Sequence, residues 1–205
     1  MKKFYPYCLI ASLGVLLLSG CASYSASPLN SLGPDVVIHY AQDSEGGIAI
    51  VAKAFNKSDC KRYLDRDVIE QGYQPVQLYI QNNSNKDYAF TLNRISLPCA
   101  RAEEVAEKVH TSTAGRATGY GAAAVLTCGL FAIPAIVDGV KSSNANTALD
   151  NDFSAKTARD QIIFRHSHFN KLLLVPTNEY QSRVTVTLMD LESNKPKTFD
   201  VTISG

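Results

Sequence analysis

A charge excess of either sign is missing from this sequence. Its 205 residues hold 20 Lys and Arg against 19 Asp and Glu. That balance argues against a nucleic-acid binder, which would carry a basic excess on one face or stripe. Catalytic signatures are missing as well. There is no G-x-S-x-G, no H-E-x-x-H and no phosphate-binding P-loop anywhere in the chain. The acidic residues are scattered, so no carboxylate pair of glycosidase type stands out. No internal repeat is visible. What the chain does have is enough apolar content to fold: 45% hydrophobic residues against 19% charged, which excludes global disorder.

The N-terminus carries the clearest signal. Met1-Lys2-Lys3 is a short positive start, followed by an apolar run over residues 9–18. Ten helical residues span about 15 Å, too short for a bilayer core of about 30 Å. A positive start, a short apolar core and small residues at its end predict a secretory signal over residues 1–20. The end reads Leu18-Ser19-Gly20-Cys21. It resembles the lipobox of bacterial lipoproteins. The resemblance implies cleavage before Cys21, a diacylglyceryl thioether on Cys21, and a palmitate-type acyl chain on the new N-terminus. Two or three chains anchor stably where one does not. The following residue is Ala22 rather than Asp. By the same resemblance this implies the outer membrane, facing the periplasm. Residues 21–34 are small, polar and Pro/Gly-punctuated, which predicts a flexible tether.

The remaining chain alternates in its two outer parts and not in its middle. Residues 36–40 and 48–55 are β-like, and Ser58 is placed to cap a short helix reaching about Leu64. Val76, Leu78 and Ile80 alternate with Gln77 and Tyr79. After Asn82-Asn83-Ser84-Asn85 the pattern resumes at Tyr88, Phe90 and Leu92. That predicts a hairpin with one wet face. Residues 172–175 form a continuous apolar run, as expected of a more buried strand. Val184, Val186 and Leu188, then Phe199, Val201 and Ile203, mark a closing hairpin around Ser193-Asn194-Lys195-Pro196. Seven or eight short strands predict an immunoglobulin-like β-sandwich, its halves at 35–100 and 161–205.

Residues 101–160 are predicted to be a Gly/Ala-rich helical hairpin inserted between the halves. Residues 102–109 are strong helix formers with acids in the first turn. Ala145, Leu149, Phe153 and Lys156 recur at helical spacing, and Gly129 or Pro134 is the expected break between the two helices. Residues 117–137 contain no charge, long enough for a membrane span. Glycines and Pro134 offset their hydrophobicity, and the small-xxx-small spacings Gly115/Gly119 and Ala117/Gly121 favour close helix packing. Packing on the protein itself and insertion or self-association in a membrane both stay open. The literal G-x-G-x-x-A at residues 119–124 lacks the preceding strand and the acid about twenty residues on, so no nucleotide cofactor is expected.

Few side chains suggest a site. In an oxidising compartment Cys60 and Cys99 are the expected disulfide pair, with Cys128 buried in the apolar run. Their bond would close a loop of about 40 residues and add about 3–4 kcal/mol. His166 and His168, two apart, would share a strand face and are weak metal-ligand candidates. A third ligand would have to come from His110, His39 or Asp160. Asp65, Asp67 and Glu70 do not match a calcium-loop spacing.

From about residue 74 to 203 the chain resembles a group of Gram-negative envelope lipoproteins. The likeness rests on the strand QPVQLYIQNNS, a Gly/Ala-rich helical middle, and the closing RVTVTLMD and KTFDVTI strands. These are patterns of structure, so the resemblance implies an architecture and no site residue. The whole predicts a non-enzymatic interaction or structural module without cofactor, nucleotide or nucleic acid. It is anchored to a membrane by its lipid and binds an envelope protein or itself through the helical insertion. The alternative is an accessory to transport that inserts residues 117–137 into lipid.

Overall fold

The computed structural model describes residues 23–33, 41–42, 47–111 and 132–205, with side chains of the last stretch from residue 143. The apolar residues 117–131, Cys21 and Cys128 lie outside these, as does the predicted strand at 36–40. The chain divides into two compact units. One, Ser25–His110 with Leu149–Gly205, holds all the described strands. The other comprises Met1–Tyr24 and Thr111–Ala148. In the latter the Asn146 side chain brackets Thr111, its Oδ1 accepting from the Thr111 N–H at 2.9 Å and its Nδ2 donating to the Thr111 carbonyl at 3.3 Å.

The strands are β1 (Ala41–Gln42), β2 (Ile48–Ala54), β3 (Tyr73–Asn82), β4 (Tyr88–Phe90), β5 (Gln161–Ile163), β6 (Ser167–Pro176), β7 (Arg183–Asp190) and β8 (Pro196–Ser204). The helices are α1 (Lys57–Leu64), α2 (Ala102–Lys108) and α3 (Ala132–Lys156). The protein is thus mainly β with a few helices, as the alternation predicts. The sheet is not a clear immunoglobulin sandwich. Its strands follow one hydrogen-bonded path, β5-β4-β7-β8-β2-β3-β6, with β1 added beside β2. A sandwich would leave two separate sheets. Here the parallel pairing of Ala52 with Ile203 and Lys53 with Ser204 joins them. Across the core Phe90 of β4 still packs on Phe169 of β6, ring centres 4.4 Å apart. The result is a nearly closed, barrel-like sheet.

The closing hairpin forms as predicted, with Val184 opposite Val201 and Val186 opposite Phe199. The first predicted hairpin does not. Strand β3 pairs with β2 and β6, whereas β4 pairs with β5 and β7. Asn82 explains the departure. This fully buried side chain donates to the carbonyls of Lys86, Ile163 and Phe164 at 2.8, 3.3 and 3.0 Å. Its Oδ1 accepts from the N–H and hydroxyl of Ser84. Residues 83–87 therefore carry the chain from β3 into the other half of the sheet. Asn82 also ties the end of β3 to the end of β5, across the gap where the path of strands would close.

Alternate residues of every strand but β1 supply one continuous core, which includes Ile50, Leu78, Phe90, Ile163, Phe169, Val186 and Val201. Helix α1 is capped by Asn56 rather than Ser58. The Asn56 Oδ1 accepts from the Asp59 N–H at 2.9 Å and the Asp59 carboxylate accepts from the Asn56 N–H, a reciprocal capping box. In α3, Leu149, Phe153 and Lys156 are buried, as their spacing predicts. Pro134 is helical, within the first turn of the described α3, and Gly129, the other expected break, lies outside the described residues. Among the described residues no helix is long and apolar enough to cross a membrane. The Ala158 N–H donates to the Leu172 carbonyl, and the Ala100 N–H to the Leu174 carbonyl, which partly covers the outer edge of β6.

Candidate functional site

Among the described residues, 25–32 form a heavily bonded segment outside the strands and helices. Where composition predicts a flexible tether, these residues are hydrogen-bonded to α1, β3 and β6. Pro28 fixes its own φ and pushes Ser27 toward extended backbone, so these two residues lose less conformational freedom on docking. The Ser25 N–H donates to the Asp65 Oδ2 at 3.1 Å and the Ser27 N–H to the Arg62 carbonyl at 2.9 Å. Asn30 donates from Nδ2 to the Tyr63 hydroxyl at 2.9 Å. Its carbonyl accepts from Gln77 Nε2 at 2.6 Å and Asn170 Nδ2 at 3.2 Å. Leu32 is buried against Val51 and Tyr79.

This strap accounts for the burial of Gln77 and Tyr79, the residues expected on the wet face of β3. Gln77 and Asn170 also join each other at 2.7 Å, forming an amide cradle for one carbonyl of the strap. The available sequence signal was Leu29 and Leu32 at small intervals within a Pro-stiffened run.

Lys156 is the centre of the arrangement. It is 8% exposed and lies in the last turn of α3. Its ammonium donates to the Ser27 carbonyl at 2.9 Å, the Tyr63 carbonyl at 2.7 Å and the Asp152 carboxylate at 2.6 Å. Those three bonds use its full donor capacity. One satisfies a carbonyl left open at the C-terminal end of α1. Lys156 thus joins α3, α1 and the strap at one point.

Asp65 closes the same end of α1. Its backbone is left-handed, φ 51°, and its carboxylate meets Lys61 at 2.5 Å and Arg66 at 3.0 Å. Burial pushes this carboxyl up, but Lys61, the Ser25 N–H and Arg66 together hold it below its ordinary value. Asp65 is therefore engaged in capping and in the strap, not in a calcium site with Asp67 and Glu70, whose carboxylates meet Lys57 at 3.5 and 2.6 Å.

The predicted sites do not converge. Cys60 and Cys99 are free thiols and form no disulfide, which corrects the expected pairing. They sit in different surroundings. Cys60 is buried on the inner face of α1, while Cys99 lines a cleft beside α2. Burial pushes both thiols up to about 11, so both are protonated near neutral pH.

His166 is not in a strand. It occupies the β5–β6 turn with φ 55°, its Nε2 3.1 Å from the Asn85 Oδ1. His168 lies in β6 and stacks on Tyr79, ring centres 5.7 Å apart. His110 pairs instead with Asp150 at 2.6 Å, and Asp160 accepts the Leu92 N–H at 2.8 Å. Among the described residues no group of three or more His, Cys, Asp or Glu is arranged to hold a metal ion.

The cleft beside α2 has a volume of about 640 Å³. Its polar lining is engaged internally. Glu103 lies 3.4 Å from Arg101 and 3.8 Å from Arg159, and the Cys99 thiol points to the Leu97 carbonyl at 3.5 Å. A protonated thiol and a carboxylate shared between two guanidiniums give no nucleophile and base in contact.

A second surface lies at the opposite end of the sheet. The register places α1 after the end of β2 and beside the start of β3. The turns β3–β4, β5–β6 and β7–β8 all fall at the other end. There Phe164 and Leu191 are 59% and 47% exposed, flanking Asp87. Its carboxylate accepts from the Arg165 N–H and its carbonyl from the Leu191 N–H. Asp190 and Lys86 pair beside them at 2.8 Å.

Comparison with known proteins gives no match: no family model, no curated protein and no solved structure is significantly similar to the chain.

Proposed function

We propose that this chain is a lipid-anchored bacterial envelope protein that acts as a non-enzymatic interaction module. Cys21 is the acylated residue, and the membrane is the outer membrane, on its periplasmic face. The observation that carries the reading is Leu18-Ser19-Gly20-Cys21 at the end of a short apolar run with a positive start. The strap supports it, because a docked segment follows the acylation position within a few residues. The loop end supports an interaction role. It presents Phe164 and Leu191 to solvent on turns fixed by Asn82, Asp87 and Asp190, the usual placement of recognition residues on a rigid scaffold.

The test is expression of the full chain and of Cys21→Ala in a Gram-negative host, with an alkynyl fatty acid in the medium. The expected result is label on the wild-type protein, none on the variant, and an N-terminal peptide beginning at a diacylglyceryl Cys21. An unlabelled, water-soluble wild-type protein would refute the reading.

A further inference from the structure

The strap fixes more than a contact. We infer that the α1 end of the sheet is held directly against the lipid surface, with the opposite loop end facing away from it. The inference rests on the proposed acylation of Cys21 and goes beyond it.

Ser25 is bonded to Asp65, and only three residues, Ala22, Ser23 and Tyr24, separate it from Cys21. Fully extended, the four residue steps from Cys21 to Ser25 reach at most about 14 Å. A flexible tether over residues 21–34 would let the domain roam about 20 Å from its anchor and turn freely. The docked strap removes that freedom, because the chain leaves the domain at one defined place, the C-terminal end of α1.

The charge exposed at that place suits a membrane. Lys61 is 74% exposed while its partner Asp65 is 13% exposed, so the ammonium and not the carboxylate faces outward. Arg62 is exposed beside it, whereas Lys57 lies at the other end of α1 and is offset by the equally exposed Glu70. Basic side chains close to anionic headgroups add to membrane attraction. From this end, β3 runs ten residues to Asn82, about 33 Å of strand. Phe164 and Leu191 therefore stand at the end remote from the anchor, where a partner in the periplasm can reach them.

The test uses the acylated full chain, extracted from the host and reconstituted in phosphatidylethanolamine–phosphatidylglycerol vesicles doped with a headgroup-linked quencher. A clickable unnatural residue at position 61 or 164 carries a fluorophore. Quenching at 61 should exceed that at 164 at least about threefold, since a step of some 33 Å of strand separates the two ends. Inserting about twelve Gly and Ser residues between Tyr24 and Ser25 leaves the strap docked but adds about 20 Å of reach, and it should bring the ratio to about one.

Equal quenching at the two positions in the wild-type protein would overturn the inference while leaving the acylation reading intact, as would a ratio that ignores the insertion. Protein that never associates with the vesicles, with an unmodified Cys21 by mass spectrometry, would overturn both.

Discussion

Replacing Lys156 by Met keeps the length and apolar stem of the side chain and removes its ammonium. In the structure that ammonium joins the Ser27 carbonyl, the Tyr63 carbonyl and the Asp152 carboxylate, at 2.9, 2.7 and 2.6 Å. Each buried acceptor left without a partner costs about 1–3 kcal/mol, and breaking a fully buried ion pair costs about 3–5 kcal/mol. Asp152 is 27% exposed, so water recovers part of its loss. A net loss of about 2–4 kcal/mol follows, which lowers Tm by about 5–15 °C for a chain of this size.

The assay is thermal and urea unfolding of residues 22–205, with amide exchange read at Ser25 and Ser27. Exchange there should quicken beyond what global destabilisation explains. Deleting residues 22–32 should destabilise the wild-type protein by more than it destabilises K156M, because the two changes share the Ser27 contact. A loss under about 1 kcal/mol, or strictly additive effects, would refute the reasoning that Lys156 clamps the strap.

Asn82→Leu removes the amide that donates to the carbonyls of Lys86, Ile163 and Phe164, of which Phe164 keeps the Ser167 N–H and hydroxyl. It should cost about 2–4 kcal/mol by urea unfolding, with the fastest new amide exchange in β5; unchanged exchange there would show that Asn82 does not tie the gap in the sheet. The Lys86 ammonium, the Ser193 side chain and the N–H groups of Ser193 and Glu192 hold the Asp190 carboxyl far below its ordinary value of 3.8. A depressed carboxyl stabilises the fold fully above its unfolded value, and the contribution fades as pH falls below that value toward the folded one. Asp190→Asn should therefore lower stability at neutral pH and flatten its decline below pH 4 in a series of urea midpoints; parallel curves for the two proteins would contradict the assignment. In a Cys128→Ser background of residues 22–205, neither thiol should react quickly with Ellman's reagent at pH 8, where a thiol near 11 is ionised to about one part in a thousand. Cys99, which lines the cleft, should react before Cys60, and a Cys60–Cys99 disulfide found by mass spectrometry would overturn the free-thiol state.

Much of the strand content is legible in the sequence because alternation reports a face directly. Val184, Val186 and Leu188 point inward, and so do Phe199, Val201 and Ile203. Pairing is not legible in the same way. Residues 82–85 read as a hairpin turn, but the choice between turning back and crossing to the other half depends on Asn82 reaching carbonyls 81 and 82 residues later in the chain. The strap is hidden for a related reason. Small, polar and Pro-containing residues describe a flexible linker and an extended docked segment equally well. The difference lies in Gln77, Asn170 and Lys156, which only the folded sheet brings to it. Cys60 and Cys99 misled because oxidising surroundings permit a disulfide without supplying its geometry. His166 and His168 misled because their spacing implies a shared face only if both lie in one strand.

The parallel seam between β2 and β8 has a consequence for the order of events in making the protein. Ala52 finds its partner Ile203 about 150 residues later in the chain. Contacts so distant in sequence carry a large loop-closure cost and form late. The early strands cannot complete their sheet until β8 is available to pair with β2. The barrel-like sheet therefore closes only once β8 joins β2.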